Sequence, residues 1–301
     1  MRKLLVSIGA AASVLFASAV PASAITYGEP DAGEHPYVGF AIFFVPSDPG
    51  WFSCSGTLLD EDTFLTAGHC VFDVGTDGAE TPGEATSGGN DVWVTFDETE
   101  TLAGWPLRAD IPDEAELYAA RSAWLNDPAH GFTKGTAIHH PDYDDFASFP
   151  VNNDVGVIEL DEAVAMSTYG VLAGFGLVDQ LGGSTGKGRN TATVETVGYG
   201  IQSVHPKPMD VESRYKSNSR IVSVNANQSV GGNLHTSNNP SASGGRGGSC
   251  FGDSGGPVFQ LDTNVVLAVV SYGPSNTCHG ADYSWRVDTH AAQDFISPYL
   301  D

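Results

Sequence analysis

The chain has 301 residues, with 13 Lys and Arg against 37 Asp and Glu, a formal net charge of −24. That field repels nucleic acid and anionic lipid and excludes both as partners, while it suits cationic ligands or simply maintains solubility. The length allows one large or two small hydrophobic cores.

The first 24 residues have the three parts of an export signal. Arg2 and Lys3 form the positive end, an uncharged and mostly apolar run follows from Leu4, and Ala22-Ser23-Ala24 fits the small-x-small cleavage rule. A retained membrane anchor is the alternative, because the run approaches the ~20 residues that a spanning helix needs. Ser7, Gly9, Ser13, Ser18 and Pro21 dilute it, so residues 1–24 are read as a signal peptide. Residues 25–301 are then a secreted, extracellular domain with no membrane association. Cleavage after Ala24 would remove Arg2 and Lys3, take the net charge from −24 to −26, and leave Ile25 as the new terminus.

Short β-prone runs punctuated by Gly, Pro, Asn and Asp fill most of the remaining chain. In order they are Val38–Val45, Thr63–Thr66, Val92–Phe96, Val155–Leu160, Val194–Val197, Ile221–Val224 and Val265–Tyr272. Many strands with turn-rich spacers predict an all-β fold of barrels or a sandwich. One helix is predicted at the end, where Ala292, Phe295, Ile296 and Tyr299 fall at i, i+3, i+4 and i+7. Asp288 or Thr289 is available as its cap, and Pro298 ends or frays the last turn. Three stretches read as surface loops: 73–91, acidic and without Lys or Arg, and the Gly/Ser/Asn-rich 182–190 and 231–249.

Cys54, Cys70, Cys250 and Cys278 are an even set in an exported chain, which reads as two disulfides with three possible pairings. Zinc is a weak rival, since no C-x-x-C pair or nearby His spacing supports it, and no metal or cofactor is expected.

Three stretches carry chemistry. "SCFGDSGGPVF", residues 249–259, surrounds Ser254 with Gly252, Gly255 and Gly256, which permit tight turns and close approach of a ligand. Gly252–Gly256 also satisfies G-x-S-x-G, the nucleophile elbow of α/β-hydrolase esterases. That elbow needs a helix after the serine and a partner His downstream, such as His279 or His290, whereas Pro257-Val258-Phe259 promises a strand. "CSGTLLDEDTFLTAGHC", residues 54–70, places His69 beside a cysteine. Asp154 opens a mostly apolar strand within "HHPDYDDFASFPVNNDVGVIEL", residues 139–160. Each of the latter two alone is weak, since a lone His is more often structural and a lone Asp more often caps a turn.

Together the three stretches resemble the chymotrypsin/trypsin family of serine proteases. Thr66–Cys70, Asp154–Ile158 and Gly252–Pro257 stand in that family's chain order, supported by "VGYG" at 197–200, "VVSYG" at 269–273 and "YSWRV" at 283–287. The resemblance implies two packed six-stranded antiparallel β-barrels, at about residues 35–175 and 185–287, with a C-terminal helix over 289–299. It implies a serine endopeptidase with Ser254 as nucleophile, His69 as general base and acid, and Asp154 as the residue that orients His69. The N–H groups of Gly252 and Ser254 would form the oxyanion hole.

By family position, Cys54 would pair with Cys70 and Cys250 with Cys278. Gly248 would lie at the base of the primary substrate pocket, with Ser249, Ser271, Tyr272 and Gly273 along it. The Asp that gives trypsin-like enzymes their preference for Arg or Lys is therefore missing from its usual place. One alignment directs Asp282 into the pocket base from the opposite strand, which would restore a basic preference. Shifted by one residue, Asp282 is a solvated turn residue, and this second reading is favoured slightly.

The family's zymogens are switched on when a freed Ile or Val ammonium pairs with the Asp before the nucleophile, here Asp253. Signal cleavage before Ile25 would create that terminus directly, although Thr26 and Tyr27 depart from the usual residues. The long interval between His69 and Asp154 includes the acidic loop after Cys70. That loop either favours basic residues on the leaving-group side of the cleft or is a solubilising insertion. Expected partners are protein or peptide substrates and proteinaceous inhibitors, with the enzyme a monomer. A protease-like binding protein with a broken triad and an esterase are the alternatives.

Overall fold

Strands form where β-branched and aromatic residues run between turn residues, and consecutive runs pair antiparallel because the connections are short. The computed structural model describes residues 25–76, 90–99, 102–183, 192–204, 208, 213–226, 232–239 and 247–300. The signal reading of residues 1–24 and most of the acidic loop, 77–89, lie outside the described residues.

A short strand β1 (Glu29–Pro30) precedes β2 (Val38–Val45), β3 (Gly50–Leu58), β4 (Thr63–Thr66) and β5 (Asp91–Thr95). Helix α1 (Glu114–Leu125) interrupts the strands before β6 (Thr133–His139) and β7 (Gly156–Leu160). Strands β2, β3, β4, β7, β6 and β5 close into a barrel in that spatial order. Its longest ladder runs from Val38 opposite Thr57 to Val45 opposite Gly50. Phe64, Leu65, Val92, Val94 and Ile158 are fully buried in its core.

The chain then forms β8 (Val171–Leu172), α2 (Leu177–Gly183), β9 (Thr193–Gly198), β10 (Tyr215–Ala226) and β11 (Asn233–Ser237). Strands β12 (Pro257–Gln260), β13 (Val265–Tyr272) and β14 (Asp282–Arg286) follow, and α3 (His290–Ile296) comes last. The second sheet runs β10-β11-β14-β13-β12-β9, and β9 also pairs with β10, so these six strands close a second ring. Val194, Ile221, Leu234, Val258 and Leu267 fill it. Every pairing within the two rings is antiparallel. The α/β-hydrolase alternative needs a parallel sheet and a helix after the serine, and here Ser254 leads into β12.

Helix α3 starts where the sequence places it, with the Thr289 hydroxyl accepting from the Ala292 N–H at 3.3 Å. A single tighter turn, Ser297–Tyr299, contains Pro298 and closes the segment. Two readings need correction. Residues 233–237, expected within a loop, form β11, because Asn233, Leu234, Thr236 and Ser237 are buried between β10 and β14. Strand β10 begins at Tyr215, six residues before its apolar run, since its first half buries polar side chains such as Lys216, Ser217 and Ser219.

Helix α1 was not anticipated. Its cap is legible, as the Asp113 carboxylate accepts from the Glu116 N–H at 3.0 Å. Only Leu117 and Leu125 of the helix are fully buried, so it has no strong apolar stripe. It is anchored by aromatic contacts instead: Tyr118 stacks on Trp51 with centroids 5.5 Å apart and donates to Asp91 Oδ2 at 2.5 Å.

The N-terminal segment is strapped across both rings. Asp31 accepts from Arg214 Nε at 2.9 Å and from His35 Nδ1 at 2.5 Å, and the Arg214 guanidinium also donates to the Val38 carbonyl at 3.0 Å. All three charged groups are buried, so each needs this pairing to offset its desolvation.

Candidate active site

Strand β4 ends at Thr66 opposite Gly156 of β7, and this register places the residues just beyond each end side by side. His69 lies in a single turn after β4, which the Cys54–Cys70 disulfide fastens to β3. Asp154 lies two residues before β7 and is fully buried. Its Oδ1 accepts from the His69 backbone N–H at 2.8 Å, and its Oδ2 lies 2.9 Å from His69 Nδ1. The Ser271 hydroxyl donates to the same Oδ2 at 2.5 Å.

Burial alone would raise the Asp154 pKa, but the His69 charge and these hydrogen bonds outweigh it and hold the carboxyl below its usual range. Burial likewise opposes protonation of His69, and the adjacent Asp154 charge reverses that and raises its pKa above the ordinary 6.5.

Ser254 sits on the turn between Cys250 and β12. Gly252 and Gly255 take φ of +98° and +74°, which side chains with a Cβ rarely adopt. The turn is docked against the first barrel by the Ser55 N–H donating to the Ser254 carbonyl at 2.8 Å and the Ser55 hydroxyl donating to the Gly252 carbonyl at 2.9 Å. The N–H groups of Gly252 and Ser254 have no acceptor among the described residues. His69, Gly252 and Ser254 line one cleft of about 780 Å³ between the two rings.

A second cavity, about 460 Å³, opens on the other side of Ser254 and includes Ser249, Ser271, Tyr272, Gly273 and Asp282 in its lining. Asp282 opens β14 and is 5% exposed, which sets aside the solvated-turn reading. Its carboxylate accepts from the Ser249 N–H at 2.8 Å and from Asn238 Nδ2 at 3.2 Å. Any Cβ on Gly248 would collide with this carboxylate and with Asn238, so the missing side chain leaves room for Asp282 in the cavity wall, while Gly248, expected at the pocket base, is not among the residues lining the cavity. Burial pushes the Asp282 pKa up to about 6, against the lowering effect of its hydrogen bonds. No cation pairs with it among the described residues.

Cys250 and Cys278 form the second disulfide, joining the serine turn to the pocket wall. Cys54 and Cys70 lie close to His69 but are bonded to each other, so this trio offers no thiolate to zinc.

Ile25 is fully buried, and Thr26 is tied to the pocket region by its N–H to the Gly248 carbonyl at 3.0 Å and its hydroxyl to Asn238 Oδ1 at 2.8 Å. Asp253 is also fully buried, with Oδ1 accepting from the Gly200 N–H and Oδ2 from the Cys250 N–H, each at 2.8 Å.

Two features escaped the sequence reading. Ser271 was expected only as pocket wall, yet its hydroxyl also holds Asp154. The side of the cleft away from Asp282 is lined by Trp51, Phe52, Leu102, Trp105 and Arg121, and the last three come from the segment between β5 and β6. The only sequence signal for it was the excess length between His69 and Asp154.

Comparison with known proteins follows the same lines. The sequence model described as Trypsin matches residues 119–296. Lectizyme from Glossina austeni is 24% identical over 285 residues, covering 88% of this chain and 83% of its own length. A structure described as HL collagenase superposes with a TM-score of 0.59 at 18% identity, over 92% of this chain and 95% of its own. Neuropsin, described as a serine protease expressed in the limbic system of mouse brain, gives 0.55 at 15% identity, over 92% and 100%. At such identities the structural likeness speaks to the fold.

Proposed function

Because the chain belongs to the trypsin family and is a chymotrypsin-like serine endopeptidase, we propose that it cleaves protein or peptide substrates through Ser254, His69 and Asp154. The observation that carries this reading is the Asp154 carboxylate fixed on His69 at 2.9 Å, with Ser254 and His69 in one cleft.

The Ser254 hydroxyl is too weak an acid to ionise unaided. With Asp154 holding Nδ1 protonated, His69 Nε2 is free to take the hydroxyl proton as Oγ attacks the scissile carbonyl carbon. The oxyanion that forms is met by the N–H groups of Gly252 and Ser254, whose lack of other acceptors leaves them available. The carbon–nitrogen bond breaks as His69 returns the proton to the leaving amine. Water, activated by the same imidazole, then hydrolyses the acyl-enzyme.

Asp282 at the base of the cavity beyond Ser254 favours Arg or Lys on the acyl side of the cut bond. A buried carboxylate without a cationic partner gains most from a substrate that supplies one. The enzyme is secreted, and signal removal before Ile25 yields the active form directly, with the Ile25 ammonium paired to Asp253. The burial of Ile25 and the tie of Thr26 to Gly248 support that route.

The test is hydrolysis of casein by the purified mature chain. Wild type is expected to digest it, and Ser254→Ala to be inactive while remaining folded. Digestion at equal rates by both would remove Ser254 from the mechanism. Failure of correctly processed wild type on any substrate would favour a binding protein.

A further inference from the structure

The cleft on the far side of Ser254 from Asp282 has a lining that the peptide-hydrolysing machinery does not require. Trp51 and Phe52 belong to β3, but Leu102 and Trp105 come from the segment joining β5 to β6, outside both barrels. Trp105 is held edge-on against Trp51 at 5.4 Å and against Trp124 at 5.3 Å. The Arg121 guanidinium lies 4.9 Å from the Trp105 ring centroid, and its Nε donates to the Pro106 carbonyl at 3.0 Å. These contacts fix the inserted wall in place. Phe52 and Phe251 remain 44% and 57% exposed.

Direction follows from chemistry. The cavity with Asp282 receives the acyl side of the substrate. His69 must deliver its proton to the departing amine, and His69 faces the aromatic cleft. The leaving-group segment therefore runs over Trp105, Trp51 and Phe52. A volume of about 780 Å³ accepts more than one large side chain.

We propose that this aromatic cleft, completed by Leu102 and Trp105, selects substrates with bulky apolar residues immediately after the cut bond. The inference rests on the assignment of Ser254 and His69 above and adds a second specificity site to it. It differs from a basic preference set by the acidic loop, because the walls nearest Trp105 are aromatic and aliphatic, and the charged groups in the lining, Asp48 and Arg121, are of opposite sign.

Acyl transfer tests it. An acyl-enzyme is formed from a panel of N-acyl amino-acid esters, arginine and tyrosine included, and is partitioned between water and added amino-acid amides. The amine of the amide attacks the acyl carbon, Ser254 Oγ departs and regains its proton through His69, and the new peptide is quantified. Phenylalaninamide and leucinamide are expected to be captured about tenfold or more better than glycinamide, the scale of discrimination that an apolar pocket supplies. Trp105→Ala is expected to reduce that ratio to about twofold, while Trp105→Phe retains most of it. Phe52→Ala, at an exposed position, provides a second variant if Trp105→Ala fails to fold. Ester turnover with a wild-type ratio near one, or a ratio unmoved in the folded variants, overturns the inference alone. No turnover of any ester overturns the Ser254 assignment and the inference with it.

Discussion

The Asp154 carboxylate grips His69 twice, with Oδ1 2.8 Å from its backbone nitrogen and Oδ2 2.9 Å from Nδ1 of its ring. Both the position and the tautomer of the imidazole are thereby set by one side chain, itself held by Ser271. Asp154→Asn keeps the shape and loses the charge, so it should leave a folded protein with turnover reduced by about 10⁴. The His69 pKa is raised, and only neutral His69 accepts a proton. Wild-type kcat/KM should therefore climb with pH through an inflection above 6.5, which a pH–rate profile reads directly.

Asp282 lines the cavity beyond Ser254 and occupies the space that a side chain on Gly248 would need. Asp282→Asn should lower kcat/KM for Arg and Lys peptides by about tenfold or more relative to Tyr or Leu peptides, as expected for loss of a desolvated charge pair. In wild type the same preference should weaken as pH falls through about 6, where the carboxylate becomes protonated. Cut-site profiling of a peptide library at two pH values measures both effects. A preference indifferent to Asp282 would exclude it as the selector.

Ile25 is buried, and if its ammonium pairs with Asp253, any residue added before it takes that ammonium away from its partner. Adding one residue before Ile25, verified by N-terminal sequencing, should abolish most activity while leaving the disulfides formed. Full activity of the extended chain would dissociate Ile25 from activation.

The strap between Asp31, His35 and Arg214 makes stability depend on pH. Burial would lower the His35 pKa, but hydrogen bonds to Asp31 and Glu195 overcome it and raise it to about 9. A raised folded-state value means the stabilisation is complete below the unfolded value of 6.5 and is lost as pH rises through about 9. The scale is on the order of 3 kcal/mol. Urea unfolding of His35→Gln should show a flatter pH dependence across this window than wild type.

Much of this architecture is written in local sequence. Strands β2, β4 and β13 coincide with the runs Val38–Val45, Thr63–Thr66 and Val265–Tyr272, because those residues are apolar and bounded by turns. The motifs around His69, Asp154 and Ser254 are equally legible, since tight turns demand glycines at fixed spacing. What escapes is set by tertiary contact. Helix α1 is held by Trp51 and Asp91, which lie far from it in sequence, and β10 buries polar side chains whose partners no local pattern reveals. The orientation of Asp282 depends on a one-residue register that the pairing of β14 with both β11 and β13 fixes, Thr236 lying opposite Asp282 and Val270 opposite Ser284.

The central claim is that Ser254 is the nucleophile. Treating the mature chain with a fluorophosphonate and mapping the adduct by mass spectrometry tests it most directly. The account predicts one adduct, on Ser254, formed in step with the loss of casein hydrolysis and absent from His69→Ala. An adduct on another serine that tracks the lost activity, or full activity with Ser254 modified, would contradict it.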